Sequence, residues 1–174
     1  MGLGKTIQAI AAAALLKQLR DIQHVLVVCP ASLKYQWARE IRRFTSLSVQ
    51  VIEGNPIQRR QLYRGLQFFN VINYELVRFD EEEITRREFD LVILDEAQRI
   101  KNWRTKTADK VKRLRSPYAF VLTGTPLENR LDELYSVLQF IDPTILGPLW
   151  RFNERYYETE RRPSGSYKVL GYKN

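Results

Sequence analysis

Two patterns of apolar spacing alternate along the chain. Short unbroken apolar runs occur at "HVLVVCP" (24–30), "FDLVILDEA" (89–97) and "YAFVLTGTP" (118–126). Each has the length of a strand and the continuous hydrophobicity of one buried on both faces. Between them the spacing turns helical. A helix is predicted from Thr6 to Arg20, with an apolar stripe at Ile7, Ile10, Ala14 and Leu15. After Pro30, Ser32 is a candidate cap for a helix through "KYQWAREIRRF". "SVQVIE" reads as a short strand, "EGNP" as a turn, "IQRRQLYRGL" as an amphipathic helix and "FFNVINYE" as a further strand. "TADKVKRLR" and "LENRLDELYSVLQFI" are predicted helices, the second followed by the loop "DPTILGP". Strand–helix repetition with apolar strands predicts an α/β fold, a parallel sheet with helices on both faces. The acidic run Glu81-Glu82-Glu83 reads as solvated surface. The stretch from Trp150 to Asn174 is polar and Tyr-rich, is broken by "RRPSGS", and has no assigned place in the core. The expected division is therefore a lobe over 1–150 and a tail over 151–174.

The opening "MGLGKTIQAIAAAALL" admits three readings. A charged residue before an alanine run is the outline of a secretion signal, but the helical stripe continues through "KQLRD". Met1-Gly2 with Thr6 also fits an N-myristoylation pattern. The third reading has a mechanism. Gly2 and Gly4 let a loop turn tightly, so that backbone N–H groups face a phosphate. The following helix adds free N–H groups and the positive end of its dipole. Lys5 supplies a point charge, and the Thr6 hydroxyl is a ligand for Mg²⁺. A complete loop has a further glycine upstream, at a position before residue 1.

The second apolar run decides among them. Leu91-Val92-Ile93-Leu94 delivers Asp95 and Glu96 to the carboxyl end of a strand, where ligands bind in parallel sheets. Charges there are costly unless paired or metal-bound. Asp95 suits Mg²⁺, which takes one or two carboxylates together with phosphate oxygens. Glu96 suits the group that orients and deprotonates an attacking water. A phosphate-binding lysine before a helix, and later an aliphatic strand ending in Asp-Glu, are the two halves of a magnesium–nucleotide site. The phosphate-loop reading of residues 2–6 follows.

Composition narrows the partners. The chain has 174 residues, 44% hydrophobic and 28% charged, and its longest apolar stretch, Ala9 to Leu16, ends at Lys17. That is well short of the ~18 residues needed to span a bilayer. The net charge of +8 attracts polyanions, of which nucleic acid is the commonest. The single cysteine, Cys29, excludes an internal disulfide and suits a reducing compartment; one His and one Cys argue against a catalytic zinc. Cys29 itself reads as a small buried hydrophobe at a strand end.

With these residues in hand, the chain resembles the first motor lobe of Snf2-family ATPases, within helicase superfamily 2. "MGLGKTIQAI" resembles motif I, "VLVVCPASLKYQWARE" motif Ia, and "LVILDEAQRIKN" motif II. "VLTGTPLENRLDELYSVLQFIDPTILG" resembles motif III and the segment after it. The resemblance implies a RecA-like lobe of the P-loop NTPase class and ATP hydrolysis coupled to movement on double-stranded DNA, inside the cell. It implies that Gly2, Gly4, Lys5 and Thr6 bind phosphates and Mg²⁺, that Asp95 and Glu96 serve Mg²⁺ and hydrolysis, and that Gln98 links nucleotide state to the other lobe. Thr123, Gly124 and Thr125 resemble the elements that couple ATP to DNA. Pro30, Ser32, Leu33 and Trp37 fall in the segment on the DNA side. Trp37, on an amphipathic helix, reads as packed core rather than a base-stacking group. Arg39, Arg42 and Arg43 are either a DNA track or a solvated helix face, and Lys101 and Asn102 are candidate nucleic-acid contacts.

The family pattern also has a strand feeding the phosphate loop and a second RecA-like lobe, neither of them in this sequence. The expectation is an incomplete motor: an exposed sheet edge, weak nucleotide binding and almost no turnover by these residues alone. Two other readings stand beside it, a nucleic-acid or protein binding module without turnover, and a lobe of another superfamily 2 motor such as a restriction translocase or RNA helicase.

Overall fold

The five strands of the main sheet are those the apolar runs predict. A computed structural model describes residues 4–100, 105–124, 131–161 and 167–173. The strands are β1 (Val25–Cys29), β2 (Val49–Val51), β3 (Phe69–Asn73), β4 (Leu91–Leu94) and β5 (Tyr118–Val121). They lie in the order β2-β3-β1-β4-β5, and every pairing is parallel. Val25 stands between Phe69 and Leu91 in register, so β1 runs up the middle of the sheet.

Alternation along β1 divides the core in two. Val25, Val27 and Cys29 pack with Ala9, Ile10, Ala13, Trp37 and Ile41. Those partners come from helices α1 (Lys5–Arg20) and α2 (Lys34–Phe44). Leu26 and Val28 face the other way. There they meet Tyr63 of α3 (Pro56–Arg64), Tyr74 and Val77 of α4 (Tyr74–Phe79), Ile84 of α5 (Glu81–Thr85) and Val111 of α6 (Lys106–Lys112). Phe140 of α7 (Leu131–Ile141) completes that face. All residues of β1, β3 and β4 are buried, whereas β2 and β5, at the two edges, are half-buried. Full burial of each aliphatic side chain is worth roughly 1.5–3 kcal/mol, which makes the three central strands the main source of stability.

Local signals explain most boundaries. Asn55 caps α3 through a reciprocal capping box with Gln58, with Pro56 at the first helical position. Thr105 caps α6 by accepting from the Ala108 N–H at 3.1 Å. α1 stops at Asp21, whose backbone is left-handed, with Lys17 and Arg20 in its last turn beside the negative end of the dipole.

Two expectations need correction. Ser32 caps no helix: residues 31–33 form a 3₁₀ turn, α2 starts after Leu33 without a side-chain cap, and Ser32 is exposed. The 81–83 run is not simply solvated. It forms most of α5, and Glu81 pairs with Lys110 and Arg113 across the α6 boundary, leaving only Glu82 fully exposed. The tail acquires structure too. Helix α8 (Leu149–Tyr156) leads into an antiparallel pair, β6 (Tyr157–Arg161) and β7 (Tyr167–Tyr172). Phe152 and Tyr157 are buried with Tyr135 of α7, the Phe152 and Tyr135 rings being 4.8 Å apart. A division after residue 150 falls inside α8.

Candidate nucleotide site

The carboxyl ends of the parallel strands form one edge, and the sequence-predicted residues gather there. β4 ends at Leu94 and hands over to Asp95; β1 ends at Cys29 and Pro30; β5 ends before Thr123 and Gly124. Asp95 extends the sheet by one bond, its N–H donating to the Val28 carbonyl at 2.8 Å. The chain then turns sharply. Glu96 has φ +51°, a left-handed conformation uncommon for a residue with a Cβ. Such strain gathers at functional sites.

Asp95 is held from three sides. Its Oδ1 accepts from the Glu96 N–H at 2.9 Å and its Oδ2 from Nε1 of Trp37 at 2.8 Å. Its carbonyl accepts from the Tyr74 hydroxyl at 2.8 Å. The side chain is buried, and burial is the main reason its carboxyl is pushed above the ordinary range. The Trp37 and Glu96 N–H donors oppose that shift, the Glu96 charge adds to it, and the Lys5 charge pulls against it. Lys5 opens α1, and Asp95 follows the carboxyl end of β4.

Gly4 precedes α1 with φ +68° and ψ 18°, a conformation natural to glycine. No side chain caps α1 and its first turn carries no acid, which suits an anion at its N-terminus. Lys5 and Thr6 open the helix and are half-buried.

A second chain of contacts runs from β4 to β5. Gln98 donates through Nε2 to Oε2 of Glu96 and accepts at Oε1 from the Thr123 hydroxyl at 3.0 Å. Gly124 lies against the same acid: a Cβ there would be 3.4 Å and 3.5 Å from the Glu96 carboxylate oxygens. Glu96, Gln98, Thr123 and Gly124 thus form one connected group.

Pro30 is buried, Leu33 half-buried and Ser32 exposed at the start of the α2 segment. Arg39, Arg42 and Arg43 are exposed on α2, with Arg43 5.2 Å from the Phe44 ring centre. Gly2 and Thr125, like Lys101 and Asn102, lie outside the described residues. Sequence reasoning placed Trp37 in the core, where it is 1% exposed, but missed its bond to Asp95 and missed Tyr74 altogether. The only available signal was general: a buried Trp or Tyr needs a partner for its polar atom.

The donor set fits magnesium. Among the described residues no three His, Cys, Asp or Glu side chains gather into a metal-only cage. One buried carboxylate and one hydroxyl are what Mg²⁺ uses when phosphate oxygens and water complete its shell. Asp95 keeps acceptor capacity for this, since among the described residues each of its oxygens accepts a single bond.

The SNF2-related domain family matches residues 1–170. The chain belongs to this family. An uncharacterized ATP-dependent helicase of Mycoplasma genitalium is 32% identical over 173 residues, covering 98% of this chain and 17% of that protein. Helicase swr1 of Emericella nidulans is 39% identical over 152 residues, covering 83% of this chain and 9% of that protein. The solved Sulfolobus solfataricus SWI2/SNF2 ATPase core in complex with double-stranded DNA superposes with a TM-score of 0.82 at 34% identity, covering 90% of this chain and 33% of that one. The chain therefore corresponds to part of an Snf2-family ATPase core and to a small fraction of its curated relatives' length. The sheet with helices on both faces is the RecA-like fold of that core. Among the described residues no helix is long and apolar enough to cross a membrane.

Proposed function

We propose that this chain is the first motor lobe of an ATP-driven translocase acting on double-stranded DNA, and that it holds ATP between α1 and the end of β4. The observation that carries this reading is the buried Asp95 carboxylate at the carboxyl end of β4, held by the Trp37 and Glu96 N–H donors, with Glu96 joined to Gln98 and Thr123 beside it. In this reading the ammonium of Lys5 and the N–H groups at the start of α1 bind the terminal phosphates. The Thr6 hydroxyl and the Asp95 carboxylate hold Mg²⁺, joined by phosphate oxygens and water. Magnesium, when bound, offsets the charge on those phosphate oxygens. Glu96 orients the attacking water and takes its proton, as its half-buried position beside that carboxylate suits. Gln98 and Thr123 connect Glu96 to the end of β5, a path by which hydrolysis reaches the surface that meets DNA. The net charge of +8 and the exposed arginines of α2 favour a polyanionic track, gripped through phosphates rather than bases. Turnover draws on a second RecA-like lobe, whose arginine contributes roughly 10³–10⁵ in rate in such reactions.

Titration of the chain with a fluorescent ATP analogue and Mg²⁺ tests the site. Lys5→Ala and Asp95→Ala are each expected to weaken binding at least about tenfold. Equal binding by the native chain and both variants would remove the proposal.

A further inference from the structure

Trp37 does more than pack against β1. It sits on α2, is 1% exposed, and gives its one polar hydrogen to Oδ2 of Asp95 at 2.8 Å. Asp95 stands on a different element, after β4, and its other oxygen is taken by the Glu96 N–H at 2.9 Å. A carboxylate pinned through both oxygens by donors on two elements has no free rotation about its last torsion. One acceptor site on each oxygen stays available. The Glu96 N–H is a local donor that any residue at that position supplies, except proline. The indole is the long-range one, and nothing about helix packing requires a nitrogen there. A phenylalanine would keep a smaller apolar ring in the core and leave Oδ2 buried without its donor.

We propose that Trp37 is a positioning residue for the magnesium site: its indole N–H fixes the rotamer of Asp95 so that the free face of the carboxylate meets the cation. The inference rests on the reading of Asp95 as a magnesium-holding group. It also ties α2, with its exposed arginines, directly to the nucleotide pocket. Partners one step removed from a metal commonly govern affinity for it by about 10- to 100-fold.

The test has two arms. In the native chain without nucleotide, NMR is used to seek a scalar coupling across the hydrogen bond between Trp37 Nε1 and Asp95 Cγ, together with slow exchange of the indole hydrogen. Both are expected; a rapidly exchanging indole hydrogen with no coupling overturns the proposal. The second arm measures ATP-analogue binding against Mg²⁺ concentration. Trp37→Phe is expected to raise the Mg²⁺ concentration for half-effect by about tenfold or more, with binding in EDTA unchanged. Lys5→Ala is expected to weaken binding in EDTA as well. A Trp37→Phe curve that overlays the native one overturns the positioning role while leaving the nucleotide site intact. A native chain whose binding ignores both Mg²⁺ and Lys5→Ala defeats the underlying reading instead. If Trp37→Phe does not fold, the NMR arm on the native chain decides alone.

Discussion

At the scale of single residues, burial sets the chemistry. Cys29 closes the central strand, fully buried, and its thiol is pushed from the ordinary 9.0 up to about 12, first by burial and then by the nearby Asp95 charge. Such a thiol is inert. A thiol reagent at mild alkaline pH is expected to label the chain only on unfolding; rapid stoichiometric labelling of the folded chain would contradict this. The same shift has a thermodynamic sign. Above 9.0 the unfolded chain releases the proton while the folded chain keeps it to about 12, so folding stability falls as pH rises through that window. Tyr63, raised above its ordinary 10.0 by burial and by Asp80, acts in the same direction. Urea unfolding at stepped alkaline pH is expected to give falling midpoints, with a shallower fall in Cys29→Ala. The Asp95 carboxyl follows the same logic: burial pushes it up, and the Trp37 and Glu96 N–H donors pull against that shift.

At the scale of elements, the clearest cross-link joins α3 to the end of α4. Arg59 of α3 donates to both oxygens of Asp80, each at 2.7 Å, and to the Gly54 carbonyl at 2.6 Å; the Tyr63 hydroxyl reaches Asp80 at 3.1 Å. Both charged side chains are buried. Removing one partner strands the other, so Asp80→Ala is expected to cost about 3–5 kcal/mol in chemical denaturation, against a negligible loss for Glu82→Ala on the exposed Arg86 pair. Equal small effects from both would mean that Arg59 finds water in the variant. This network also marks where reading the sequence reached its limit. β1 and β4 were evident because a strand buried on both faces is a run of aliphatics with clear ends. The capping box of α3 was present as Asn55-Pro56 and Gln58, yet only its turn was recognised. α4 went unseen because the apolar run through Phe69 continues into Tyr74, and one run does not reveal where extended backbone becomes helix. α5 was read as solvent-facing because its partners, Lys110 and Arg113, come from a segment brought close only by the fold. The site divides the same way. Lys5, Asp95 and Glu96 are recognisable from residue type and position, whereas the Trp37–Asp95 bond joins two elements and has no local signature.

At the scale of the whole molecule, the sheet is uneven. Its three central strands are buried, but β5 ends the sheet with Tyr118, Ala119, Phe120 and Val121 half-exposed and no charge among them. An apolar edge of that kind is open to pairing with another strand. Sedimentation velocity on the chain is expected to show association that grows with concentration; a single monomeric species at every concentration would contradict it. The opposite end of the chain is better covered, since Phe152 and Tyr157 bury themselves against α7 and the 157–172 hairpin follows. The proposed nucleotide site requires α1 to meet the end of β4. Paramagnetic NMR with Mn²⁺ in place of Mg²⁺ and a non-hydrolysable ATP analogue tests that meeting most directly. The amides of Lys5, Thr6, Asp95 and Glu96 are expected to broaden together, and Lys5→Ala to abolish the effect. Broadening confined to one of the two segments, or centred elsewhere on the molecule, would contradict a shared magnesium–nucleotide pocket.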